Sequence, residues 1–137
     1  MQTFLPYPDF EESAKCLDYR RLGKQRVEAW QIYLALTKPG YGWQSHPAVR
    51  MWSGYESILL EYGIEICREW QRRGFKDSLL ERFLKEWGKK DFQFEYPFWM
   101  GNKKFHASHR SNLLRKDPVY YGKFGWSEST TLPYVWP

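Results

Sequence analysis

The 137-residue sequence is poor in cysteine, with only Cys16 and Cys67. They stand far apart and form no CxxC pair, which excludes a disulfide-rich scaffold and a thiolate zinc knuckle. A reduced, buried pair is expected, as in a cytoplasmic protein. Histidine is equally scarce, with His46, His106 and His109. The last two have a spacing compatible with metal, but no third ligand stands near them, so neither metal nor cofactor is expected. No apolar run is long enough to span a membrane. Met1-Gln2-Thr3-Phe4 leads into prolines and acids instead of the apolar core of a signal peptide. Internal repeats, low-complexity linkers and composition breaks are also missing. Residues 1–137 are therefore expected to form one domain, monomeric and cytoplasmic, associated with the nucleoid.

What is abundant is aromatic rings, at 20% of residues, and positive charge, at a net +5. Rings spread along the whole chain can build a core and still leave faces for base stacking. The charge is concentrated in Leu17-Asp18-Tyr19-Arg20-Arg21-Leu22-Gly23-Lys24-Gln25-Arg26-Val27-Glu28, with four cations and two carboxylates. Four cations this close repel one another unless an anion lies among them, and a nucleic-acid backbone is the evident anion. Arginine neighbours would also push Lys24 toward its neutral, nucleophilic form.

Local signals predict a mainly α-helical fold. Pro6 and Pro8 keep residues 1–8 extended. Asp9 caps a short helix, with Glu11 and Glu12 in its first turn, running to about Tyr19. Gly23 interrupts or kinks the next run, whose Val27, Trp30 and Leu34 form one stripe ending near Thr37. Lys38-Pro39-Gly40-Tyr41-Gly42 is a loop. A long helix is expected over Ala48–Arg73, stopped by Gly74, and a shorter one from Asp77 or Ser78 to Trp87. Asp91–Asn102 is aromatic and irregular; alternation there suggests a strand, against which Pro97 argues. A short helix over Ser111–Lys116 follows. An aromatic tail from Asp117 to Pro137 wraps over the helices.

Three stretches together resemble the phage endonuclease V-like pyrimidine-dimer DNA glycosylases, and the cellular members of that superfamily more closely still. These are Asp18-Tyr19-Arg20 to Arg26-Val27, then the helix ending in Arg72-Arg73-Gly74-Phe75 and preceded by His46. The third is His106-Ala107-Ser108 through Leu113-Leu114-Arg115 to Pro118-Val119-Tyr120-Tyr121-Gly122. Their joint order carries the resemblance, which covers nearly the whole chain. It implies a compact helical domain that flips a nucleotide from double-stranded DNA, cleaves the glycosidic bond of a damaged pyrimidine and nicks the abasic strand by β-elimination. It implies an N-terminal α-amine as nucleophile, here that of Met1, assisted by a carboxylate of the first-helix region and by no metal. α-Amines as a class titrate near neutrality, so an unprotonated fraction can attack sugar C1′ and form an imine.

The chain departs from this pattern at two places. Gln2 is too large to favour removal of Met1. The family glutamate follows an arginine, and aligning Tyr19-Arg20 puts Arg21 at its place, while aligning Gln25-Arg26-Val27 puts Gly23 there. That leaves Asp18 or Glu28 to supply the carboxylate, and a modified pyrimidine or an abasic site as credible a substrate as a dimer. The catalytic candidates are thus Met1, Lys24, Asp18 and Glu28. Lys24 equally suits a phosphate contact or a plain pair with Glu28 one turn on, and both carboxylates equally suit counter-charges for the arginines. The DNA-contact candidates are Arg20, Arg21, Arg26, His46, Lys103, Lys104, His106, His109, Arg110, Tyr120 and Tyr121. For each, an ordinary surface pair, a helix entry or core packing is the competing reading. The functional rival is a module that binds distorted DNA without cutting it.

Overall fold

The computed structural model describes residues 1–89 and 95–137, and among them it holds seven helices and no strand. They are α1 (Phe10–Cys16), α2 (Tyr19–Thr37), α3 (Pro47–Arg50), α4 (Glu56–Arg72), α5 (Leu80–Trp87), α6 (Lys103–Lys116) and α7 (Pro118–Gly122). The mainly α-helical fold expected from the sequence is the one found. The expected aromatic alternation at Phe92 and Phe94 lies outside the described residues. From Pro97 to Gly101 the chain makes a turn, closed by Met100 N–H donating to the Pro97 carbonyl.

Short polar side chains start the helices as their chemistry requires. Asp9 accepts from Glu12 N, Asp18 from Arg21 N, Asn102 from Phe105 N and Asp117 from Tyr120 N. Asp77 accepts from both Leu79 N and Leu80 N and so holds the entry to α5. Gly74, at φ 90°, stops α4 in the left-handed conformation that a glycine adopts without strain.

Three expectations are corrected. Gly23 does not break its helix: α2 runs through it unbroken, and its role is contact with α4. A Cβ at Gly23 would stand 2.8 Å from the Trp70 ring. The segment Ala48–Arg73 is two helices, parted by a turn through Gly54 at φ 86°. And α6 begins at Lys103, a full two turns before Ser111.

The core lies between α2, α4 and the segment that precedes α1. Trp52, Tyr62, Leu22, Ile32, Leu59, Leu60 and Phe83 are fully buried there, each such side chain contributing roughly 1.5–3 kcal/mol. Phe83 of α5 packs so closely on α4 that a Cβ at Gly63 would lie 2.3 Å from its ring. Cys16 and Cys67 are both free and buried. None of the helices formed by the described residues is long and apolar enough to cross a membrane.

Candidate active site

Residues 1–5 form a segment threaded into the molecule before the chain bends at residues 6–9, and Gln2, Thr3, Phe4 and Leu5 are all buried. No strand among the described residues receives their backbone groups, so side chains do. Gln25 Oε1 accepts from Phe4 N at 3.0 Å, and Gln25 Nε2 donates to the Gln2 carbonyl at 2.8 Å. The Tyr62 hydroxyl lies 2.6 Å from Gln25 Oε1 and 3.0 Å from the Phe4 carbonyl and shares its one proton between them. Trp52 Nε1 donates to Thr3 Oγ1. Leu5 is held from both sides: its N–H donates to His109 Nδ1 at 2.8 Å and its carbonyl contacts His106 Nδ1 at 2.7 Å. Arg110 Nη1 donates to the Pro6 carbonyl. This set of bonds holds Gln2 to Pro6 onto the core, next to the first residue.

The histidine bonds explain the titration of these rings. Gly101 N donates to His106 Nε2, so His106 is neutral with its proton on Nδ1, pointing at Leu5 O. Burial lowers His109 to about 3 and lowers His106 as well. The unfolded chain binds protons that the fold refuses. Stability is therefore full above the unfolded histidine value and falls with pH toward the folded one. The expected loss is about 1.4 kcal/mol per pH unit for each such ring within its window. Urea unfolding at about pH 7 and about pH 5 checks the sign and slope.

At the end of the threaded segment, α2 supplies a polar stripe. Arg21, Gln25 and Glu28 are four and three residues apart and so share one face. Glu28 Oε2 accepts from Gln2 N at 3.3 Å and from Gln25 Nε2 at 3.0 Å. Its side chain is only 12% exposed, and its other oxygen lies 3.6 Å from Lys24 Nζ. The carboxylate therefore sits one residue from the Met1 amine. His46 completes the group from another element. It starts α3, with Nδ1 accepting from Ala48 N at 3.0 Å, which leaves the proton on Nε2 in the neutral ring. Burial lowers its pKa, the charge of the terminal amine lowers it further and Glu28 partly restores it. His46 thus feels both the amine and the carboxylate.

The C-terminal tail closes this side. Leu132 N donates to Ser111 Oγ, Val135 N donates to Ser108 Oγ, and Asn112 Nδ2 donates to the Leu132 carbonyl. This strap along α6 brings Tyr134 among Gln2, Arg21, Arg115 and Glu28, where burial raises its pKa. Trp136 meets the edge of His46 at 6.1 Å between ring centroids.

Lys24, Glu28, His46 and the Met1 end are brought together, while the Arg21 side chain turns to Asp18. Asp18 is not part of this group. This carboxylate caps α2, accepts from the Tyr121 hydroxyl at 2.5 Å and pairs with Arg21 at 3.0 Å. Burial alone would raise its pKa, but the bonds from Tyr121 and Arg21 hold it below the usual value. Five expected DNA contacts are instead engaged within the fold through their burial and partners. His106 and His109 are 2% and 1% exposed and tether Leu5. Tyr121 is fully buried against Asp18. Arg26 is committed to Asp77 at 2.5 Å and lies over the Trp70 ring. Arg110 pairs with Glu128 at 2.7 Å and holds Pro6, a structural post too. Arg20, Lys103 and Lys104 are exposed, and Tyr120 is half-buried under Lys123.

Both α2 and α6 have no acid in the first turn, and both carry two cations there, Arg20 with Arg21 and Lys103 with Lys104. Positive side chains at the positive end of a helix dipole oppose it; at α2 the Asp18 cap offsets this through Arg21, whereas the α6 cap is the neutral Asn102. By contrast, a groove lined by Asp9, Glu11, Glu61 and Glu65, with Arg68 as its one base, would repel phosphate and lies apart from Met1, Glu28 and His46. Sequence reasoning missed Gln25, the tether of the threaded segment, and Tyr134 and Trp136, which wall the site. The only signals for them were a glutamine on the Glu28 face of α2 and rings in the last few residues.

The chain start, Glu28 and His46 thus lie on one side of the molecule, and paired cations stand at the starts of α2 and α6. A family model for pyrimidine dimer DNA glycosylase matches residues 1–83, from the threaded segment into α5. The chain belongs to the pyrimidine dimer DNA glycosylase family, which supports a role in DNA repair. The matched region contains Met1, Lys24, Gln25, Glu28 and His46, and excludes α6, α7 and the strap. No curated protein and no solved structure matches the chain.

Proposed function

We propose that the protein removes a damaged pyrimidine from double-stranded DNA and then cuts the strand, through an imine between the Met1 α-amine and the sugar. The observation that carries this reading is the convergence of the terminal amine, Glu28 and His46 on one face. In its unprotonated form the amine attacks C1′. The C1′–N bond to the base breaks, the base leaves with the electron pair, and the sugar ring opens to a protonated imine. Loss of a proton from C2′ then expels the 3′ phosphate by breaking the C3′–O bond, and water hydrolyses the imine to free the amine. Glu28 opposes the positive charge developing at C1′ and takes the C2′ proton. Neutral His46 donates from Nε2 to a sugar or phosphate oxygen.

Family membership makes a pyrimidine dimer the first substrate to test. Arg20, Lys103 and Lys104, exposed at their helix starts, hold phosphates, and the protein acts as a monomer. Lys24 is 74% exposed beside Glu28 and fits a phosphate contact better than a nucleophile. Incubating the untagged protein with a duplex bearing one cyclobutane dimer is the test. Cutting at the dimer and not in an undamaged duplex is expected. Tight, lesion-dependent binding with no cutting of dimer, oxidised-pyrimidine or abasic duplexes would select the binding-module reading, which the lack of a carboxylate at the family glutamate's place, Arg21 or Gly23, favours.

A further inference from the structure

Both α1 and α5 pack on α4, and beside α4 they leave a groove of about 640 Å³, the size of a ligand or peptide site. The chain as a whole carries a net charge of +5. This groove instead gathers Asp9 and Glu11 at the start of α1 with Glu61 and Glu65, one turn apart on α4. Its lining cation, Arg68, is committed to Glu65 at 3.5 Å, and Lys15 pairs with Glu11 at 3.2 Å. No cation among the described residues pairs with Glu61, whose pKa is raised by burial and by the Glu65 charge. The facing wall is apolar. Leu84 and Trp87 on α5 and Tyr96 after it are 39%, 41% and 56% exposed. Tyr96 is set edge to face on Phe10, with ring centroids 6.0 Å apart. An acidic wall and an apolar wall thus stand open to solvent side by side.

The carboxylates are spread over two helices and do not converge on a point. No three His, Cys, Asp or Glu side chains among the described residues are grouped as metal ligands. Spread charge suits an elongated cation, and the exposed rings offer faces to ammonium or guanidinium groups and to apolar side chains. A polyamine would answer the carboxylates but leave Leu84 and Trp87 wet. We infer that the groove binds a lysine- or arginine-bearing peptide segment of another protein. Its cations lie against Glu61, Glu65 and Glu11, and its apolar side chains cover Leu84, Trp87 and Tyr96. In an extended peptide successive side chains point to opposite sides, so alternating cationic and apolar residues match the two walls. The same carboxylates repel phosphate, so DNA stays out of the groove and the two ligands bind together. Nothing in this docking depends on strand cutting, and it gives the protein a partner beyond its DNA.

A short fluorescein-labelled peptide of alternating lysine and leucine is the probe, titrated with the whole protein at low salt and read by fluorescence anisotropy. Two variants test the two walls separately: Glu61→Gln with Glu65→Gln, and Trp87→Ala. Both change groups at the surface, and their melting temperatures check that they fold. The double variant is expected to bind the peptide about 10-fold or more weakly, and Trp87→Ala about 3- to 10-fold more weakly. A peptide of alternating glutamate and leucine should not bind, and an unlabelled DNA duplex should leave the bound peptide in place. The double variant should cut a lesion duplex as the wild type does. Wild-type affinity in both folded variants would overturn the assignment. Displacement of the peptide by the duplex would overturn it too, by placing the peptide on the DNA-binding side. Displacement by spermine, with Trp87→Ala binding as the wild type, would make the groove a polyamine site instead. A wild-type dimer in sedimentation that the double variant dissociates would make its occupant a second copy of this chain.

Discussion

Glu28→Gln is expected to lower lesion-dependent strand cutting by about 10²- to 10⁴-fold, the range for losing a positioned acid–base group. The substitution keeps an oxygen to accept from Gln2 N, the bond that now spans 3.3 Å, and changes little in volume. The threaded segment, still held by Gln25, Tyr62, His106 and His109, stays in place. What disappears is the negative charge beside the terminal amine. The melting temperature and the affinity for a lesion duplex should therefore barely move while single-turnover cutting collapses. Asp18→Asn is the informative partner. It weakens an α2 cap and the bond to Tyr121, so it should cost about 1–2 kcal/mol of stability and leave the rate of the folded fraction nearly intact. The opposite pattern, with Asp18→Asn inactive and Glu28→Gln active, would move the carboxylate role to Asp18.

An extension of two residues before Met1 should reduce cutting by about 10³-fold or more, the scale of losing the nucleophile of a covalent mechanism. It turns the amine into an amide, whose nitrogen lone pair is delocalised into the carbonyl and does not attack carbon. Lys24→Ala, in contrast, should change the rate by about threefold or less, because the ammonium is a solvated partner of Glu28 at 3.6 Å. A cleavable extension makes the comparison within one preparation: activity absent before cleavage and restored after it. Full activity of the extended protein, together with loss in Lys24→Ala, would make Lys24 the nucleophile.

The parts of the fold legible in the sequence were those decided by neighbours in the chain. Asp9 and Gly74 announced a helix start and a helix stop because capping and positive φ depend on a few adjacent residues. Gly23 was misread because its reason lies in the Trp70 ring of another helix. His106 and His109 read as DNA contacts beside Lys103, Lys104 and Arg110, and only the passage of Leu5 between them makes them buried tethers. Arg26 belonged to a conspicuous basic run, yet its partner Asp77 is about fifty residues on. The site itself was half visible. Met1 and the two candidate carboxylates followed from the family resemblance, but the choice of Glu28 over Asp18 needed the path of an extended segment that has no sheet to predict it.

The central claim is that the Met1 amine is the nucleophile. Borohydride reduction during turnover on a lesion duplex, followed by proteolysis and mass spectrometry of the adduct, tests it most directly. The account predicts a single sugar adduct on the N-terminal peptide, at the Met1 α-nitrogen, and none on the peptide carrying Lys24. An adduct on Lys24, or strand cutting without any adduct, would contradict it.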